Sequence, residues 1–139
     1  MVLPISREIA DRILERSSYD VDPPLLELIH PIKPEEVNVY PASSWLMRLW
    51  KAEISGATYG RRIYVRPALF DGDPDGFARL IIHELVHVRQ YDEMGFFSFL
   101  SRYFRDYLRG RFSGMNHREA YRAISVEVEA RDITSVVIA

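Results

Sequence analysis

The run His83-Glu84-Leu85-Val86-His87 constrains this chain more than any other stretch of it. Histidines at i and i+4 lie one turn apart on the same face of a helix, so both imidazoles can reach a single metal ion. Glu84, the next residue, stands about 100° round the helix, where its carboxylate lies beside such a metal without ligating it. That is the position for a group that takes a proton from water held on zinc. With only four histidines in 139 residues, chance arranges this pattern in roughly one chain in a hundred. The pentapeptide therefore predicts a helix that presents half a metal site together with its own base.

The surrounding residues support the helix. Asp73, Pro74 and Asp75 read as a turn followed by a helix N-terminus, with acidic side chains where the helix dipole favours them. From Gly76 to about Met94 no proline intervenes, and Gly95 supplies the stop. Phe77, Ile81, Leu85 and Val88 fall towards the side opposite the histidines and are expected in a core. Leu80, Ile82 and Val86 flank the histidine face, so the motif sits in apolar surface that excludes competing water.

Two histidines leave a zinc site incomplete, since a catalytic zinc takes a third protein ligand and keeps one position open. The chain has no cysteine, which removes thiolate ligands and disulfides together. The third ligand is then His30, His117 or a carboxylate. Residues 116–137 read as one helix, with Asn116 as cap and Glu119 three residues on, as in a capping box. A helical wheel gathers Ala123, Val126, Ala130, Thr134 and Val137 on one inward face. Glu127 falls in the middle of that face and Glu129 well off it. A carboxylate centred on an apolar stripe is costly unless something pairs with it. Zinc is one such partner; an arginine is the other.

This combination resembles the gluzincin class of zinc metallopeptidases, in which H-E-x-x-H is followed downstream by a helix carrying E-x-x-A. The matching residues are His83 to His87 and Glu127-Val128-Glu129-Ala130. Thr58-x-Gly60-x-x-Ile63-x-Val65, Val88-x-Gln90 after the motif, and Ala120-Tyr121-Arg122 are similar to the small bacterial minigluzincin-like domains, as is the short length. The resemblance covers roughly residues 36–137. It implies an α+β, zincin-like single domain with a short, mostly antiparallel sheet packed on the H-E-x-x-H helix and further C-terminal helices. It implies Zn2+ held by His83, His87 and Glu127, with Glu84 as general base in hydrolysis of a peptide or protein substrate. His117 ranks first as the donor to a developing oxyanion, ahead of Tyr121, which lies away from Glu127 on the wheel, and Tyr91. In zincin folds an edge strand above the active-site helix holds extended substrate, and residues 62–66 are the candidate. The chain departs from the pattern at Arg131, where many gluzincins carry an outer-shell aspartate; Asp132 follows one place later. Glu129, three residues before Asp132, therefore stays open as an alternative ligand.

The remainder reads as an N-terminal helix and proline-rich connector over residues 1–35, ahead of a core over residues 36–139. An amphipathic helix is expected to begin near Ser6, with Ile5, Ile9, Ile13 and Leu14 on one side. Pro23, Pro24, Pro31 and Pro34 break the chain after it, around a short helical turn at residues 25–29. Val37-Asn38-Val39-Tyr40 alternates as a strand ended by Pro41. Residues 45–54 fit a helix through Trp45, Leu49 and Ala52, or a strand towards Ile54. Residues 95–110 form a helix whose Phe and Tyr stripe is expected mainly in the core. Charged residues interrupt any leader at the N-terminus, no apolar stretch approaches membrane-spanning length, and cysteine is absent; a cytoplasmic protein without an integral membrane segment is expected. A net charge of −2 and dispersed arginines argue against a nucleic-acid surface. The alternative to an enzyme is a zinc-binding scaffold or interaction module with the same fold, using the Phe-rich helix.

Overall fold

Valines and isoleucines at alternate positions build the sheet on which the histidine helix rests. The computed structural model describes residues 3–5, 32, 36–49, 55–71 and 73–137. The expected N-terminal helix from Ser6 onward, the turn at 25–29, the proline-rich connector, His30, Ala52 and Ile54 lie outside them, while Ile5, expected on that helix, belongs to a strand instead. The strands are β1 (Leu3–Ile5), β2 (Val37–Pro41), β3 (Gly56–Tyr59) and β4 (Arg62–Val65), with α1 (Ser44–Leu49) between β2 and β3. After a 3-10 turn at Pro67–Asp71 come α2 (Pro74–Met94), α3 (Phe96–Phe112), α4 (His117–Arg122) and α5 (Ser125–Val137). The architecture is α+β.

The sheet is mixed, in the order β1-β2-β4-β3. β2 pairs parallel to β4, while β1–β2 and β3–β4 are antiparallel. Val37 and Val39 of β2 and Ile63 and Val65 of β4 are buried on one face, as the period of two requires. The expected strand at residues 62–66 therefore exists, but it lies between two neighbours and is not an edge. Among the described residues the sheet ends in β1 on one side and in β3 on the other, and Gly60 and Arg61 turn the chain so that Tyr59 pairs with Arg62. Gly60 has φ +65°, a conformation a side chain disfavours.

Asp73 caps α2, its carboxylate accepting from the backbone N–H of Asp75 at 3.3 Å and of Gly76 at 3.1 Å. Ile81, Leu85 and Val88 are buried, as expected, and so are Ile82 and Val86. The helix is apolar on nearly every side because the sheet covers one flank while Ala130 of α5 joins the same core from another.

Two further expectations are corrected. Residues 116–137 are not one helix: α4 ends at Arg122 and α5 begins at Ser125. Asp106 of α3 accepts from the Ser125 N–H at 3.1 Å and its hydroxyl at 2.5 Å, satisfying a donor of the new first turn. The Arg131 guanidinium donates to the carbonyl of Arg122, closing the end of α4. A wheel drawn through this break misplaces Ala123, which is exposed; beyond it Val126, Glu127, Ala130 and Thr134 are buried as expected.

The second correction concerns α3. Phe99 is buried and Leu100, Tyr103 and Tyr107 are partly so, but Phe97, Phe104 and Leu108 are exposed. The aromatic residues are too many for one face, and α2, α4 and α5 cover only the side that carries Phe99 and Gly110. No helix among the described residues is long and apolar enough to cross a membrane.

Candidate metal centre

Helix α2 sets His83 and His87 one turn apart, with ring centroids separated by 4.9 Å. Helix α5 brings Glu127 across to both. Its Oε2 lies 3.0 Å from His83 Nε2 and its Oε1 2.9 Å from His87 Nε2. His87 is 3% exposed and Glu127 4%. One donor atom from each of the three residues falls within 4.8 Å of the other two. A tetrahedral zinc with bonds near 2.1 Å spaces its donors by about 3.4 Å, so the trio needs little adjustment to hold one.

The hydrogen bonds around His87 test that fit. Gln90 Nε2 donates to the carbonyl of Val126 and to Glu129 Oε1, each at 3.1 Å, which turns its amide oxygen towards the imidazole. His87 Nδ1–H donates to that oxygen at 2.7 Å. In the neutral ring Nε2 then carries a lone pair, buried, making no directed hydrogen bond, and facing a carboxylate oxygen. Two electron-rich atoms this close require a cation between them, either a proton or a metal. In the metal-free chain it is a proton. Burial opposes charge on His87, but the Glu127 carboxylate 2.9 Å away, with Glu84 and Gln90 adding, pushes its pKa from 6.5 to about 9. Burial likewise opposes charge on Glu127, and the two histidines outweigh it, holding the carboxyl well below the usual range.

Glu84 belongs to the same site but stands apart from the three grouped donors. It is buried beside β3, where the Thr58 hydroxyl donates to its Oε2 at 2.5 Å and approaches its backbone carbonyl at 3.3 Å. Burial pushes its pKa up, with Glu127 adding, while the histidines and Thr58 pull the other way. The strand comes this close because of Gly56. A Cβ there would meet the Tyr64 carbonyl oxygen at 3.2 Å, Leu80 Cδ1 at 3.3 Å and Glu84 Oε1 at 3.5 Å.

In front of Glu84, His87 and Glu127 lies a cavity of about 210 Å³. Its floor is β3 and its wall is apolar and aromatic: Tyr91, Phe99, Leu100, Tyr103, Phe104 and Tyr121. Phe99 meets the His87 ring edge-on at 5.8 Å and stacks on Tyr91 at 3.8 Å between centroids. Burial, the charges of Glu127 and Glu84, and a hydrogen bond to Glu127 push the Tyr121 pKa up, so its hydroxyl stays a proton donor.

Of the residues singled out by sequence, His83, Glu84, His87 and Glu127 are brought together. His117 is placed elsewhere: its Nδ1 lies 2.8 Å from the Tyr107 hydroxyl, and it is not among the cavity-lining residues. Tyr121, set aside on the wheel, turns towards Glu127 because of the break between α4 and α5. Glu129 sits one layer out, on Gln90, and Arg131 is engaged with the end of α4. Thr58 and Gln90 carry roles that motif reading did not assign. Their signal is a polar side chain at a buried position, Gln90 being three residues beyond His87 on the same helical face.

No family model, curated protein or solved structure matches this chain.

Proposed function

We propose that the protein is a zinc-dependent hydrolase acting on peptide bonds, with zinc held by His83, His87 and Glu127. The observation that carries this reading is the buried Nε2 of His87 opposite the Glu127 carboxylate, with Nδ1 already committed to Gln90. Only a cation reconciles that pair, and all three donors suit zinc. Bound zinc supplies charge that polarises a carbonyl and draws the pKa of water towards neutrality.

The chain's own residues do the rest. Glu84 accepts the proton of the attacking water, its carboxylate aimed by Thr58. Tyr121 lines the cavity with a neutral hydroxyl and is the donor for negative charge developing on the substrate oxygen, the role the sequence reading gave to His117. The outer edge of β3, which pairs with no other described strand, offers main-chain groups to an extended peptide, replacing residues 62–66 in that part. The aromatic wall admits an apolar side chain next to the bond that breaks.

A scaffold that binds zinc without turnover is the rival, favoured by Arg131 where an outer-shell aspartate was expected. Against it, Gln90 gives His87 the anchoring that such a partner provides. The deciding experiment compares wild type with Glu84→Gln on a library of quenched fluorescent peptides. The variant is expected to keep its zinc and lose hydrolysis by about a thousandfold. Wild-type turnover in the variant, or no turnover in zinc-loaded wild type, overturns the reading.

A further inference from the structure

The corrected placement of α3 leaves an aromatic ridge on the outside of the molecule. Phe97, Phe104, Leu108 and Phe112 follow one another at spacings of seven, four and four residues, so they form one stripe along the 17-residue helix. All four are exposed, Phe97 at 83% and Phe112 at 88%. The buried side of the same helix, with Phe99 and Gly110, faces the other way. The ridge has a definite electrostatic frame. Exposed Arg102, Arg105 and Arg109 border it on one flank and exposed Arg111 on the other. Asp106, the one acidic residue of α3, accepts from Ser125 on α5 and lies 3.9 Å from Arg105, offsetting one of these charges and leaving Arg102, Arg109 and Arg111 in excess. A chain of net charge −2 therefore presents a helix face whose outward charges are cationic.

We infer that α3 docks this chain on an anionic lipid surface, with the helix lying in the plane of the membrane interface. Exposed phenylalanines along one stripe match the shallow, greasy depth of the headgroup–acyl boundary. Flanking arginines reach lipid phosphates while their stems stay in apolar contact. Charge argues against a second copy of the chain as the occupant, since a two-fold contact through this face sets its arginines against those of the copy. Phe104 belongs both to the ridge and to the cavity wall, so the cavity of the metal centre opens beside the docked face.

The test is flotation of the purified full-length chain with lipid vesicles, and it does not depend on metal or turnover. Binding is expected to vesicles of phosphatidylcholine with about one-third phosphatidylserine, and to weaken at high salt. Phe97→Ser with Phe112→Ser, and separately Arg105→Glu with Arg109→Glu, should each reduce the bound fraction about tenfold or more. These positions are exposed, so circular dichroism should stay that of wild type. Equal flotation of either double variant, or failure of wild type to float, overturns the inference. Self-association or capture of a protein that requires Phe97 and Phe112, in the absence of vesicle binding, overturns it in favour of a protein interface.

Discussion

Gln90 Oε1 accepts the Nδ1–H of His87 at 2.7 Å, and the same amide donates to Val126 and Glu129 from its other end. One side chain thus ties the histidine of α2 to the helix that delivers Glu127. The imidazole cannot rotate without breaking its bond to Gln90, and cannot change tautomer unless the amide also turns and gives up its two donations.

Gln90→Met keeps the volume and removes the acceptor. The buried Nδ1–H then has no partner, which costs about 1–3 kcal/mol of stability. Zinc affinity is expected to fall about 10–100-fold, measured by competition with a chromophoric chelator. Unchanged affinity would show that Gln90 does not hold the ligand.

The His87–Glu127 pair makes the metal-free protein sensitive to pH on both sides. His87 is raised from 6.5 to about 9, so its contribution is complete below about pH 6.5 and is lost as pH rises through 9. Glu127 is depressed from 4.5, so its contribution is complete above that value and is lost as pH falls through its folded pKa. Glu84, raised from 4.5 by burial, takes stability away progressively as pH rises above 4.5. Urea midpoints of the stripped protein should therefore be highest near about pH 4.5 and fall as pH rises towards 9. Calorimetry near pH 7.5 in buffers of different ionisation enthalpy should show about one proton released per zinc bound. A midpoint that rises steadily to pH 9, or no proton release, would remove the charged pair from the description.

Thr58→Val leaves the shape of β3 and deletes the donor to Glu84. Hydrolysis is expected to fall about 10–100-fold with zinc content unchanged, since only the aim of the base is lost. Gly56→Ala, by contrast, pushes a Cβ against the Tyr64 carbonyl and Leu80 and should cost about 1–3 kcal/mol in thermal or urea unfolding. Full activity in Thr58→Val would separate that hydroxyl from the reaction.

Much of this was legible because the signals were local. The 3.6-residue period, the Asp73 cap and Gly95 mark α2 without knowledge of the fold, and the alternation of β2 and β4 is equally direct. Glu127 was readable from its lone charge on an apolar face. What was not legible depends on partners distant in sequence. The break at residues 123–124 is fixed by Asp106 and Arg131, so the wheel carried Tyr121 to the wrong side. The rank of the strand within the sheet, and which half of the α3 aromatics would be covered, are decided only when elements pack.

Arg131→Asp installs the residue that family resemblance led one to expect. In this fold it removes the donor to the Arg122 carbonyl and is expected to lower stability by about 0.5–1.5 kcal/mol, with zinc affinity little changed. A gain in zinc affinity would instead place position 131 beside the ligands.

The central claim is that His83, His87 and Glu127 bind one zinc ion, and zinc stoichiometry by elemental mass spectrometry tests it most directly. Metal-stripped wild type, reloaded with zinc at pH 7.5 and desalted, is expected to hold about one ion per chain. His83→Ala with His87→Ala, treated identically, should hold less than about a tenth of that. Wild type that retains no zinc, or a double variant that retains as much as wild type, would contradict the claim.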